Sequence, residues 1–568
     1  MKNQTRISTE VLLYSLIFVL AAALRFTLLG KVPLVESEAS WAYQAWQIWR
    51  GELIRPGSLV SYLSITKGLF FIFGSSNYAA RVLPAAAGSL AIWIPYLMRG
   101  QFGRIPALVL AFGFAIDPAV VSVSRIAGGP IPALIFLLLA GAAFHQTNLK
   151  WSLVFLVLGL FSGPAFWMGA AILGITLILS RVFGFWEGKE YFQTRFAGFT
   201  NNQDSNFQAA GEYFLPLLVL FTVGSFFFSQ LEGLSAWTGS LPEFLRGWIS
   251  PSGISPLKLL IALIVSNPFS IIFGALGFLN AWRKNDLVGK IISLWFGISI
   301  LLVSLYPGRQ TLDLIWVVIP LWAGAAKESV RILQKVKSFW VTNVLSGITV
   351  VLFTLNWLTF TGMIFQLGNQ QSILLQWGLI AASLALGLLA MAIVASEWDW
   401  PTAVKGLVVG VIGVLGFYLF SATVQGAYLK AGDPRSLWTN EPGAGQVNLL
   451  LDSIAEVGIA ETGRADSIQG AVINGDSTLK WILRDHPGIE FIEVYDPDLI
   501  PPILITREID NVQVPEAAYR GQDFVIAVNP GWTGLLPEDW ISWIAFRSGP
   551  IENEDIIFWV RNDILSAD

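Results

Sequence analysis

Long apolar runs recur along this chain, each near the roughly 20 residues that an α-helix needs to cross the hydrocarbon core of a bilayer. They fall at about 11–29, 81–98, 104–122, 130–146, 151–164, 166–181, 213–230, 257–280, 288–305, 313–326, 340–363, 373–394 and 404–428. This pattern predicts about thirteen transmembrane helices within residues 1–429. The stretch 59–74 reads as a segment that can dip into the membrane without crossing, and 151–181 as one helix with a re-entrant turn or as two helices. Only 13% of the 568 residues are charged, against about 25% in soluble domains, which excludes a single soluble globule. The aromatic load, 39 Phe, 24 Trp and 12 Tyr, suits membrane–water interfaces.

The ends of these runs carry an orientation. With Lys2 and Arg6 inside, alternation brings Arg99, Arg104, Lys150, the 181–212 loop, Arg283, Lys284, Lys327, Arg331, Lys335 and Lys337 to the inner side, as the positive-inside rule requires. The expectation is a multi-pass protein of the plasma (inner) membrane with a cytoplasmic N-terminus. An odd number of spans leaves the C-terminal part outside. Ala21-Ala22-Ala23 would serve as a signal-cleavage site, but the apolar run continues past Arg25 to Gly30, so the first helix is expected to be retained.

From about residue 430 the character changes. Residues 430–568 carry 9 basic and 23 acidic side chains, a net charge of −14, whereas the preceding part is net +10. Short β-rich runs at Gly470–Ile473, Phe491–Tyr495, Pro502–Thr506, Phe524–Val528 and Ile556–Val560 alternate with helix-like stretches at Val447–Val457, Thr478–Asp485 and Asp539–Phe546. Strands interleaved with helices predict a small α/β domain, extracytoplasmic by the charge rule. It carries no Gly-rich phosphate loop and no G-x-S-x-G nucleophile elbow. Cysteine is absent and the two histidines, His145 and His486, are far apart in sequence. Thiolate metal sites, haem attachment and a His-rich metal cluster are therefore excluded.

Charged residues near a membrane are costly and tend to serve function. Those expected at the outer face are Glu36 and Glu38, Lys67 and Arg81, Asp117 and Arg125, and Arg309 and Asp313. Carboxylates can act as general bases or hold a divalent cation, and arginines can clamp a phosphate through paired hydrogen bonds. Plainer readings exist for each. Arg25, Arg81 and Arg125 can snorkel to lipid headgroups. Arg309 and Asp313, four residues apart, can pair on a helix, and Glu36 and Glu38 can be solvated loop residues. Downstream of the two glutamates, Ala42, Ala45, Trp46 and Trp49 share one face at helical spacing, which predicts an amphipathic helix in the interface.

The segment Leu24-Arg-Phe-Thr-Leu-Leu-Gly-Lys-Val-Pro-Leu-Val-Glu-Ser-Glu-Ala resembles the first outer loop of the GT-C class of membrane glycosyltransferases. It is most similar to the superfamily of dolichyl-phosphate-mannose protein mannosyltransferases and lipid A aminoarabinose transferases, where an R-F-x-x-L-G lead runs into P-L and an acidic D-E-A signature. The resemblance continues through Asn77-Tyr-Ala-Ala-Arg-Val-Leu-Pro-Ala, Ala115-Ile-Asp-Pro, Ser124-Arg125, Ser266-Asn-Pro-Phe, and Tyr306-Pro-Gly-Arg-Gln-Thr-Leu-Asp-Leu-Ile-Trp ahead of Pro320-Leu-Trp. It implies transfer of a sugar from a polyprenyl-phosphate donor to a protein or lipid/glycan acceptor outside the membrane. It also implies Glu36 or Glu38 as base, Arg125, Arg309 and Lys67 on the donor phosphate, and Asp117, Asp313 and Arg81 in support. No cofactor is required on this reading. A divalent metal on Glu36, Glu38 and Asp117 is optional, nucleic acid has no part, and membrane lipids and membrane-protein partners fit. Two departures stand out: Ser37 occupies the Asp position of the signature, and Pro130 stands where many relatives carry an acid five residues past the Arg. They motivate an alternative, a catalytically inactive GT-C scaffold or subunit of a larger complex.

Overall fold

The computed structural model describes residues 8–185, 206–334, 339–364, 370–436, 438, 441–496, 500–508, 518–532 and 534–565. Most of the 181–212 loop, Lys2, Arg6, Lys335 and Lys337 lie outside the described residues.

Apolar runs become helices here because an apolar solvent leaves backbone N–H and C=O groups no partners but each other. Seven described helices are long and apolar enough to cross a membrane: Thr9–Phe26, Asn77–Phe102, Pro164–Val182, Leu287–Leu305, Trp340–Ile364, Ile373–Glu397 and Trp400–Leu429. The expected span at 257–280 is instead two helices, Pro256–Ser266 and Pro268–Arg283, bent by 96°. Pro268 has no N–H to continue the first helix, and its fixed φ suits the first turn of the second. Counted as one broken span, this pair is an eighth candidate. Further expected spans fall on the shorter apolar helices Arg104–Ile116, Ile131–His145, Leu149–Leu160 and Tyr213–Gly224, with Val60–Phe73 where a membrane-dipping segment is expected. Another falls on Ile315–Leu333, which carries Lys327, Glu328 and Arg331 in its last turns. In Ile373–Glu397 no residue of the most apolar 18-residue stretch is buried inside the protein. Such a surface needs lipid around it, and the chain is a multi-pass membrane protein.

Ile315–Leu333 is the axis of the packed core: all but a few of its residues are buried. It packs against Pro268–Arg283 and Arg104–Ile116, and small residues let the backbones close up. A Cβ on Gly113 would lie 2.4 Å from the Trp322 ring, and one on Gly277 would lie 2.4 Å from the carbonyl oxygen of Gly324. Ion pairs gather at one end of the bundle, Arg99 with Glu10, Lys327 with Asp286 and Arg331 with Glu328.

At the opposite end the chain leaves the last membrane helix and forms a six-stranded mixed sheet. Its strands are β1 (Gly443–Ala444), β2 (Gly470–Ile473), β3 (Ile489–Ile492), β4 (Ile503–Arg507), β5 (Tyr519–Pro530) and β6 (Ile551–Arg561). They lie in the order β1-β5-β6-β4-β2-β3, with β2 parallel to both β3 and β4 and the other pairs antiparallel. The helix Val447–Thr462 buries Val447, Leu450 and Ile454 against the sheet. This is the expected small α/β domain.

The domain is bolted to the membrane part. Ser477–Ile482 packs on the first-loop helix Glu36–Arg50, and Trp481 is 2% exposed. The Trp481 indole donates to Asn77 Oδ1 at 2.8 Å and stacks on Phe70 with ring centroids 5.8 Å apart. The Arg484 guanidinium lies 3.9 Å from the Trp481 ring and donates to the Ser75 carbonyl.

Candidate functional site

Three helices build the site: α1 (Thr9–Phe26), α2 (Glu36–Arg50) and, after the intervening Val60–Phe73 (α3), α4 (Asn77–Leu90). Residues 27–35, between α1 and α2, are folded around charge. Arg81 of α4 donates to the carbonyls of Leu29, Val32 and Pro33, and to Glu38 by two parallel bonds, Nε to Oε1 at 2.8 Å and Nη2 to Oε2 at 2.5 Å. Glu38 also accepts from the backbone N–H of Ala127 at 2.7 Å and of Val35 at 3.3 Å. Buried carboxylates and guanidiniums are tolerated only when paired and hydrogen-bonded in this way. With four donors on its two oxygens, Glu38 has no acceptor site left for a substrate hydroxyl proton, since a carboxylate offers about four. Glu38, expected as a base, thus has its acceptor capacity taken up by the protein itself.

The arginines do not snorkel. Arg25 is fully buried and donates to the carbonyls of Ala21, Phe114 and Ala115 and to Ser124 Oγ. Arg125 donates to the carbonyls of Leu24, Arg25, Thr27 and Leu28. Leu24 and Arg25 lie in the last turn of α1, where carbonyls lack intrahelical partners and a cation is favoured. Asp117 caps the short helix Pro118–Val123 through the Val120 N–H and accepts from the Trp322 indole at 2.6 Å.

Arg309 and Asp313 form no ion pair with each other among the described residues. Arg309 donates to the Ile254 carbonyl, and Asp313 accepts from the Gln310 N–H at 2.8 Å. Lys67 donates to the Phe226 carbonyl and to Ser229 Oγ.

Some of these groups line a cavity of about 130 Å³, whose polar lining includes Ser37, Glu38, Arg81, Arg125, Lys430 and Glu441. Of the residues expected from sequence, Glu38, Arg81 and Arg125 meet there; Glu36, Lys67, Arg309, Asp117 and Asp313 are not part of its wall. Gln310 and Thr311, next to Arg309, do line it. Lys430 and Glu441 were not singled out from sequence. They lie on the segment that enters the sheet domain, where a single charge beside Gly and Pro looks like any solvated linker. The Lys430 ammonium donates to the carbonyls of Phe546 and Arg547, and burial lowers its pKa, with Asp433 opposing. Glu441 Oε2 accepts from the Ser37 N–H at 3.0 Å.

Glu36 is exposed and turned toward the sheet domain. Desolvation first, and then the negative charge of Asp476, raise its carboxyl pKa above the ordinary value, while Arg507 opposes them. Glu36, Glu38 and Asp117 therefore do not converge, and among the described residues no three His, Asp or Glu side chains gather as a metal site.

No protein-family model matches the sequence, and no curated protein matches it significantly. Solved structures do match. The crystal structure of ArnT from Cupriavidus metallidurans bound to undecaprenyl phosphate superposes with a TM-score of 0.53 at 14% identity, covering 97% of this chain and 98% of that one. The apo form of the same protein gives a TM-score of 0.51 at 14% identity, covering 89% and 94%. The Archaeoglobus fulgidus oligosaccharyltransferase in complex with Zn and sulfate matches more weakly, with a TM-score of 0.40 at 12% identity, covering 87% and 68%. The chain thus has the fold of ArnT over nearly its whole length, the GT-C resemblance that its sequence motifs carry.

Proposed function

We propose that this protein is a membrane glycosyltransferase that moves a sugar from a polyprenyl-phosphate donor to a protein or lipid/glycan acceptor, on the outer face of the membrane. The observation that carries the reading is the cavity at the end of the helix bundle, where Arg125 and Lys430 share a wall with acidic residues in the fold of a protein crystallised with undecaprenyl phosphate. Departure of a phosphate from the anomeric carbon develops negative charge on the leaving oxygen. Fixed cations lower that barrier without having to reorganise. Arg125 and Lys430 are the groups assigned to the donor phosphate, and Arg81 supports them by holding the first loop through Glu38. Arg309 and Lys67, which lie off the cavity wall, are left without a direct phosphate role. The outer placement rests on the Lys/Arg distribution of the loops.

The test is native mass spectrometry of the purified protein with added undecaprenyl phosphate. Wild type is expected to retain the lipid through detergent washing, Arg125→Ala to lose it, and Arg309→Ala to keep it. Wild type that binds bulk phospholipid equally well would sink the proposal. The scaffold reading, favoured by the saturation of Glu38 by Arg81, would then take its place.

A further inference from the structure

We infer that Glu441, carried by the segment joining the last membrane helix to the sheet domain, is the proton acceptor of the transfer reaction; this rests on the glycosyltransferase reading above. Among the described residues two carboxylates line the cavity, Glu38 and Glu441. The first is filled by Arg81 and two backbone N–H groups. Glu441 is held differently. Among the described residues its Oε2 takes one hydrogen bond, from the Ser37 N–H, and none of their ion pairs includes it.

That donor is one of the orphan N–H groups in the first turn of the 15-residue helix α2, where the helix dipole favours an anion. The bond holds the carboxylate at the cavity wall and, among the described residues, takes up one of the roughly four acceptor sites it offers. A residue remote in sequence thereby brings a carboxylate to the backbone of Ser37, whose own hydroxyl does not ionise near neutral pH.

In the step assigned here, a lone pair of the acceptor hydroxyl oxygen attacks the anomeric carbon of the donor sugar. The bond from that carbon to the phosphate oxygen breaks, and its electron pair leaves with the phosphate. The hydroxyl proton passes to Glu441. Atoms and charge balance with no other reactant. Arg125 and Lys430, on the same wall, meet the charge that develops on the phosphate.

The experiment uses membranes from a strain lacking the gene, which supply both donor and acceptor, with purified full-length protein added and the release of free polyprenyl phosphate measured. Undecaprenyl phosphate binding and thermal unfolding are followed in parallel on each variant. E441Q keeps an oxygen for the Ser37 N–H, so binding within about twofold of wild type and an unchanged Tm are expected. Release should fall by roughly 10²–10⁴-fold, the usual share of a general base, while Glu36→Gln, off the cavity wall, retains it in large part. Wild-type release by E441Q overturns the inference and leaves the glycosyltransferase reading standing. Loss of binding or of Tm together with release makes Glu441 a structural residue, which also overturns it. Wild type that neither binds the lipid nor releases it overturns the glycosyltransferase reading, and the inference with it.

Discussion

Glu38 and Arg81 stand side by side through two parallel hydrogen bonds of 2.8 and 2.5 Å, both side chains almost completely buried. Removing one partner from such a pair strands a desolvated charge, at a cost of roughly 3–5 kcal/mol. Glu38→Ala and Arg81→Ala are each expected to lower stability by that order. The double variant should lose less than the sum, because neither charge is then left alone. Thermal unfolding in detergent reads all three. Additive losses would show that the pair does not hold the first loop together.

Docking of the sheet domain has its own anchor in Trp481. Truncating a buried Trp costs about 3–5 kcal/mol, here by emptying the space between Phe70 and Arg484 and freeing Asn77. Trp481→Ala should leave both parts folded and loosen the joint between them. Limited proteolysis would report this as faster cutting in the segment around 430–441. An unchanged digestion pattern would place the docking energy elsewhere.

The pH dependence of that joint follows from Glu36. Its carboxyl pKa is raised in the folded protein above an ordinary value of 4.5, so the folded state holds the proton more tightly than the unfolded one. This contribution to stability is complete below pH 4.5 and is lost as pH rises through the raised value. Glu36→Gln should remove the dependence in that window and leave stability at higher pH equal or slightly improved. Unfolding curves collected from pH 4 to pH 8 test it; identical slopes for wild type and variant would refute the assignment.

Asp117 and Trp322 make a further prediction. Trp322→Phe keeps an aromatic side chain but removes the indole donor from a fully buried carboxylate, which should cost about 1–3 kcal/mol. Gly113→Ala presses a methyl group onto the Trp322 indole and should cost a similar amount through overpacking. Since both act at one place, their effects in the double variant are expected to be non-additive. Calorimetry on the four proteins decides the matter.

The helical part was legible because its signal is local. An apolar run of the right length has few folds open to it, so Thr9–Phe26 and Leu287–Leu305 could be placed from composition alone. The break at Asn267–Pro268 was written in the sequence as a dipeptide, yet 257–280 is predominantly apolar, and hydropathy does not register a 96° bend. In the sheet domain β2 coincides with its expected run, whereas β5 and β6 extend well beyond theirs. Their outer halves pair through residues such as Glu552, Asn553 and Glu554, whose side chains face water and show no alternation of polarity to read.

The site was legible as a list of costly charges but not as a set of partners. Whether Glu38 is a base or an anchor depends on Arg81, 43 residues away, and Glu441 reaches Ser37 across 404 residues. No short-range pattern encodes such distances. Arg25 and Arg125 look alike in sequence, and only packing separates the one fully enclosed by carbonyls from the one at the cavity wall.

The cavity wall passes from Leu29 and Arg81 in the helical part to Lys430, Ser436, Trp438 and Glu441 in the segment beyond it. For anyone building chimeras, the seam between the two parts is therefore in the wrong place. A swap cut at residue 430 would hand the recipient a binding pocket with one side from each parent. A graft that carries residues 425–441 along with the helices would move the pocket as a unit and leave the sheet behind as the exchangeable piece.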